Sequence, residues 1–202
     1  RILKKKGANV KFIYRESIFS KKITKLLIQN KIEFKIIKNI NPANFKHDAN
    51  ETIKALKKRR TDYLVVDHYQ LDFKWENVVR KYVKKIFVID DLANRKHKCD
   101  LLLDQNLIVN SKKRYDRMVN KSCRKLLGPR YALLSPEFKN NRSEVIKNKK
   151  VKNIFIFFSG SNNPKLNNIV FNIFRKKEFK KFSINFVAGV NFNKKIFFQK
   201  VK

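Results

Sequence analysis

The sequence predicts an α/β fold built on a parallel sheet, and three observations carry that expectation. First, three apolar runs each end in polar residues: Tyr63-Leu64-Val65-Val66 leads into Asp67-His68-Tyr69, Ile86-Phe87-Val88-Ile89 into Asp90-Asp91, and Leu101-Leu102-Leu103 into Asp104-Gln105-Asn106. Short runs rich in β-branched and aromatic residues have the form of strands buried on both faces. Second, segments with helical spacing alternate with the runs, the pattern of βαβ units joined by right-handed crossovers. Third, the strand–helix pattern restarts beyond a polar stretch at 140–150, so two α/β units are expected.

Taken in order, residues 1–6 read as the closing turn of a helix, stopped at Gly7 as a C-cap glycine would stop it. A strand follows at 10–14. Ile23, Leu26 and Leu27 share one face of a helix over 20–30, and 33–37 is the next strand. Residues 39–50 read as a loop broken at Pro42, and 51–58 as a helix with Ile53, Ala55 and Leu56 apolar. Trp75, Val78, Val79 and Tyr82 stand at i, i+3, i+4 and i+7, which predicts a helix over 75–84. The polar stretch 110–125 is expected to hold one short helix. In the second unit, 151–158 and 183–188 read as strands and 164–176 as a helix.

The expected organisation is an N-terminal α/β domain with its inter-domain segment at 1–139, a linker at 140–150, and an incomplete C-terminal nucleotide-binding domain at 151–202. The helical turn at the start leads us to expect one more strand and helix before Arg1, and the unfinished second unit leads us to expect more chain after Lys202.

Composition narrows the function classes. Lys and Arg number 50 against 16 Asp and Glu, a formal charge of +34. Such a charge alone is the footprint of a nucleic-acid or anionic-surface binder. Here, however, Lys outnumbers Arg about three to one, Asn and Ile are abundant, and Gly and Pro number four each. AT-rich codons of a low-GC genome account for that pattern. A dedicated nucleic-acid binder favours Arg, whose planar fork matches phosphate and guanine, and no specific nucleic-acid partner is expected. No apolar stretch approaches the ~18 residues of a membrane span, and no signal peptide is recognisable. Cys99 and Cys123 form no CxxC pattern, and His47, His68 and His97 are scattered, so no metal-ligand spacing is present. A cytoplasmic, reduced, monomeric protein without metal or cofactor is expected.

If the three runs are parallel neighbours, their polar ends emerge at one carboxyl edge, where open α/β sheets bind ligands. Carboxylates, an imidazole, a phenol and amides suit a small molecule rich in hydroxyls or amides, such as a sugar. The same residue types also cap helices and close turns, so each cluster has a second, purely structural reading. Asp90 and Asp91 are adjacent and point to opposite sides of an extended chain. They are expected to shape a loop rather than to hold a metal. In the second unit, Ile154-Phe155-Ile156-Phe157-Phe158 feeds Ser159-Gly160-Ser161-Asn162-Asn163, and Pro164 suits the first helical position. A glycine turn at a helix start can hold phosphate, or it can be an ordinary βα turn.

Val65-Val66-Asp67-His68-Tyr69 with Leu71-Asp72 resembles one family, the hydrolase of pseudaminic acid biosynthesis that removes UDP from UDP-2,4-diacetamido-2,4,6-trideoxy-β-L-altropyranose. The likeness continues through Val88-Ile89-Asp90-Asp91-Leu92-Ala93 and Arg95, and through His97-Lys98-Cys99-Asp100-Leu101-Leu102-Leu103-Asp104-Gln105-Asn106. Gly128-Pro129-Arg130-Tyr131-Ala132-Leu133-Leu134 and Pro136-Glu137-Phe138 match its inter-domain segment. Phe158-Ser159-Gly160-Ser161-Asn162-Asn163-Pro164 resembles its Phe-Gly-Gly-Ser-Asp loop, with Ser159 in place of a glycine and Asn162 in place of an aspartate. The resemblance implies a two-domain glycosyltransferase-B type of fold and metal-free hydrolysis with inversion, water being the nucleophile. It implies a general-base histidine in a Gly-x-Gly-His loop, which would precede Arg1. It assigns Tyr69 to the active site in a supporting catalytic role. Asp67, His68, Gln105 and Asn106 are the expected substrate-binding residues, and Ser159, Gly160, Ser161 and Asn162 the expected phosphate-binding ones. A transferase of the same fold and a basic nucleic-acid-binding module are the alternatives.

Overall fold

The computed structural model describes residues 2–38, 44–56, 61–140, 150–158 and 164–187. The chain divides into two units, Arg1–Leu134 and Ser135–Lys202. Of the expected linker, residues 141–149 lie outside the described residues.

The first unit opens with the helical turn α1 (Ile2–Lys5). Gly7 at φ 86° ends it, and Ala8 N–H donates to Leu3 O at 3.0 Å in the geometry of a glycine C-cap. Strand β1 (Lys11–Arg15) pairs in parallel with β2 (Glu33–Ile37), and α2 (Ser20–Gln29) is the crossover between them. Helix α3 (Phe45–Leu56) leads into β3 (Thr61–Asp67), and α4 (Phe73–Val79) with the 3-10 turn Arg80–Tyr82 leads into β4 (Val83–Ile89). Strands β5 (Leu101–Asp104) and β6 (Arg124–Leu127) complete a four-stranded sheet of order β3-β4-β5-β6, parallel throughout. The protein is therefore α/β with parallel sheets, as expected. Among the described residues β1 pairs only with β2 and β3 only with β4, which leaves one edge of each unpaired.

The core lies where α3 and α4 cover this sheet. Ala49 and Ile53 of α3, Trp75 and Val79 of α4, Val66, Ile86, Val88 and Leu102 of the strands, and Tyr115 pack as one cluster. Each large apolar side chain buried there stabilises the fold by about 1.5–3 kcal/mol. Glu76 of α4 and His97 add a fully buried polar tie, Nδ1 to Oε1 at 2.6 Å, between α4 and the segment before β5.

Several element boundaries differ from expectation. Helix α3 starts at Phe45, six residues before the expected start, because Phe45, Ala49, Thr52, Ile53 and Leu56 form one inward stripe. Asp48 interrupts that stripe in the sequence, yet it is buried because it is paired. Helix α4 stops at Val79, and β4 begins at Val83 because Val83 and Lys85 continue the ladder with β3, opposite Thr61 and Tyr63. Strand β6 was not expected. Arg124 and Lys125 hide it in the sequence, and charges are what an edge strand tolerates. The short helix expected in the polar stretch 110–125 is the 3-10 helix Ser111–Lys113, and a short helix α5 (Pro136–Asn140) begins the second unit. Burial on both faces does not hold for β3, whose Tyr63 and Val65 are exposed beside its unpaired edge.

In the second unit, β7 (Asn153–Phe157) pairs in parallel with β8 (Ser183–Val187) across α6 (Pro164–Phe174). Phe174 and Phe179 pack edge to face at 4.9 Å behind the helix end. Among the described residues no helix is long and apolar enough to cross a membrane.

Candidate functional site

The strand register builds one polar edge. Asp67 lies opposite Ile89, Ile89 opposite Leu103, and Asp104 opposite Leu127, so the loops following β3, β4, β5 and β6 emerge side by side. Parallel pairing thus delivers all three polar clusters to the same edge, as the sequence predicts.

Arg95 straps the first two loops together. Its Nε donates to Leu71 O at 2.9 Å and its Nη2 to His68 O at 3.0 Å. Its Nη1 lies 2.8 Å from Asp90 Oδ1, close enough to pair charges but outside hydrogen-bond alignment. Asp90 is buried, and its Oδ2 accepts from Ala93 N–H at 2.9 Å, closing the turn after β4. Ala93 sits at φ 49°, a left-handed backbone that costs a side-chain-bearing residue about 1–2 kcal/mol. That conformation is held by the hydrogen bond to Asp90.

A second knot joins the ends of β4 and β5. The buried Tyr115 hydroxyl lies 2.9 Å from Asp90 O, 3.1 Å from Asp90 Oδ2 and 3.1 Å from Asp104 Oδ2. One phenol proton is shared among these acceptors. Burial, then the charges of Asp90 and Asp104, push the phenol's pKa far above its ordinary value, so Tyr115 remains a donor. Arg114 Nε lies 3.5 Å from Asp104 Oδ2, and its Nη2 donates to Asp91 O at 2.6 Å. Gly128, at φ 95°, donates its N–H to Asp104 O at 2.8 Å and turns the chain away from β6 in a conformation that suits glycine.

A third network reaches in from β1. Arg15, at the strand's last position, donates from Nε to Asp48 Oδ2 at 2.8 Å and from Nη1 to Gln70 Oε1 at 2.7 Å. Trp75 Nε1 donates to the other Asp48 oxygen at 2.6 Å. Gln70 N–H donates to His68 Nδ1 at 3.1 Å. Burial, then the nearby Arg15 charge, lowers the His68 pKa. The imidazole is therefore neutral near pH 7, with its proton on Nε2, as a hydrogen-bond donor.

Of the expected substrate-binding residues, Asp67 ends β3 and His68 follows it, beside Tyr69. Tyr69 is 66% exposed, which leaves its phenol accessible to a solute. Gln105 and Asn106 follow β5, and both are exposed. Gln105 Oε1 accepts from Leu133 N–H at 3.0 Å, so its NH₂ remains the donor end, while Asn106 N–H donates to Asp104 Oδ1. Asp72, quoted among the family's motif residues, caps α4 by accepting from Lys74 N–H. Ser159, Gly160, Ser161 and Asn162 lie outside the described residues. Arg15, Asp48, Arg114 and Tyr115 were not expected at this edge. The only sequence signal for Arg15 was its place at a strand end, and Tyr115 lies in a stretch too polar to suggest a core residue. Among the described residues no three His, Cys, Asp or Glu side chains gather as a metal site.

No family model matches the chain. It is similar to an uncharacterized protein of Methanocaldococcus jannaschii, 27% identical over 180 residues, covering 84% of this chain. The chain spans 37% of that relative's length. That relative's description names no activity.

Proposed function

We propose that this chain is part of a hydrolase that releases UDP from a UDP-linked diacetamido-trideoxy sugar in pseudaminic acid biosynthesis, with the two-domain glycosyltransferase-B type of fold. The observation that carries the proposal is the convergence of the His68–Gln70 loop, the Asp90–Arg95 loop and the Asp104–Asn106 loop at the carboxyl ends of three adjacent parallel strands. Such an edge suits a polar ligand, and the motifs that carry the family resemblance supply its residues.

In this mechanism, water attacks the anomeric carbon from the face opposite UDP, the anomeric C–O bond breaks, and the free sugar leaves with inverted configuration. Tyr69 hydrogen-bonds the sugar or orients the water. His68 donates from Nε2, Asp67 accepts from sugar hydroxyls, and Gln105 and Asn106 bind the acetamido groups. Ser159, Gly160, Ser161 and Asn162 hold the diphosphate. The general base is a histidine of a Gly-x-Gly-His motif, and none of His47, His68 and His97 stands in one. The enzyme acts as a cytoplasmic monomer and needs neither metal nor nucleic acid.

The test is to incubate the product of the whole gene with the UDP-sugar, with and without EDTA, and to follow UDP and free sugar. Release of both without an acceptor, unaffected by EDTA, is the expected result. Turnover only with an acceptor would make the protein a transferase. No turnover, together with a preference for particular nucleic acids that persists across a salt titration, would favour the basic binding module instead.

A further inference from the structure

We infer that Cys99 and Cys123 are a dithiol that oxidises reversibly to an intramolecular disulfide. Their sulfurs lie 3.5 Å apart, and both are free and buried. Cys99 lies just before β5 and Cys123 just before β6, two strands that pair in parallel, with Arg124 N–H bonded to Asp100 O at 2.9 Å between them. Neighbouring positions at the starts of paired strands can be bridged with little backbone movement, the condition a disulfide needs. Two buried cysteines can also serve simply as small apolar residues. Here the thiols face each other and differ in character. The contact between the sulfurs lowers the Cys123 pKa and raises that of Cys99, whose thiol burial also disfavours as a thiolate. Cys123 is thus the more readily ionised thiol and Cys99 the resolving one.

With a peroxide as oxidant, the Cys123 thiolate attacks one peroxide oxygen and becomes a sulfenic acid as the O–O bond breaks and hydroxide leaves. Cys99 sulfur then displaces the sulfenic hydroxyl, forming the S–S bond and releasing water after its proton is lost. Two thiols and one hydrogen peroxide give one disulfide and two waters. The ring so closed contains Asp104, Gln105, Asn106, Arg114 and Tyr115, so oxidation staples the base of the segment that carries the third polar cluster of the edge. Closing it raises stability by restricting the unfolded chain.

The test is to treat the folded protein with hydrogen peroxide and read intact mass, linked peptides and melting temperature, before and after dithiothreitol. The expected result is a loss of about 2 Da, one peptide joining Cys99 to Cys123, and a melting temperature several degrees higher, all reversed by the reductant. Cys123→Ser should abolish all three changes. Should that variant fail to fold, peptide mapping of the unmodified sequence decides alone. Two thiols that stay free until the protein is unfolded, or overoxidation of single cysteines without a link, would overturn the inference.

Discussion

Arg95 donates from Nη2 to the carbonyl of His68 at 3.0 Å, so the loop after β4 holds the backbone of the loop after β3. The same guanidinium bonds Leu71 O and faces Asp90. A lysine offers one point charge and cannot reproduce that planar fork. Arg95→Lys should therefore destabilise the first unit by about 1–3 kcal/mol. It should also speed amide exchange at residues 68–71 more than in β4. Urea unfolding with exchange measurements checks this, and equal exchange across both regions would remove the strap.

Tyr115→Phe keeps the ring in the core and removes the proton shared between Asp90 and Asp104. Leaving buried acceptors unsatisfied costs about 1–3 kcal/mol. Denaturant unfolding should show a loss of that size. A change below about 0.5 kcal/mol, typical of a surface site, would mean that the hydroxyl is not the knot between β4 and β5.

Tyr69→Phe is expected to behave in the opposite way. Its exposed phenol should leave stability within about 0.5 kcal/mol. Under the proposed function, the same change in the whole protein should lower kcat by about 10–10³-fold with little change in KM, as for a group acting mainly in the transition state. Steady-state kinetics of the variant decide, and unchanged kcat removes Tyr69 from the site.

Acid sensitivity should trace to Asp100. The Arg80 hydrogen bond holds its carboxyl far below the usual range against the opposing effect of burial, helped by Ile86 N–H and Lys85. A folded-state pKa below the unfolded value of about 3.9 gives stability that is complete above that pH and is lost as pH falls beneath it. Asp100→Asn should flatten the stability profile between about pH 4 and pH 2. His68 acts at higher pH. Its lowered pKa means that the unfolded chain protonates first, so stability should also decline as pH falls below about 6.5. Urea titrations across pH, with His68 followed by NMR, check both.

How legible each part was depended on what the residue does. The strands at Val66, Val88 and Leu102 were visible because their burial enforces an apolar run. Strand β6 was not, since Arg124 and Lys125 sit at an edge where burial imposes no such pattern. The start of α3 was obscured by Asp48, a buried carboxylate whose partners Arg15 and Trp75 come from elsewhere in the sequence. The polar edge itself could be anticipated, because parallel strands must share their carboxyl ends. The network that shapes it, through Arg15, Arg95, Arg114 and Tyr115, depends on contacts that no local spacing announces.

The unpaired edges of β1 and β3 bear on how copies of this chain meet. Each presents a row of amide and carbonyl groups without ladder partners among the described residues, and exposed Tyr63 and Val65 flank one of them. Such rows act as templates for another strand. Where the β1 edge of one copy meets the β3 edge of another the contact is head-to-tail, and the rotation it imposes decides between a closed ring and an open filament. Self-association by this route would rise with concentration, and the large positive charge would oppose it most strongly at low salt.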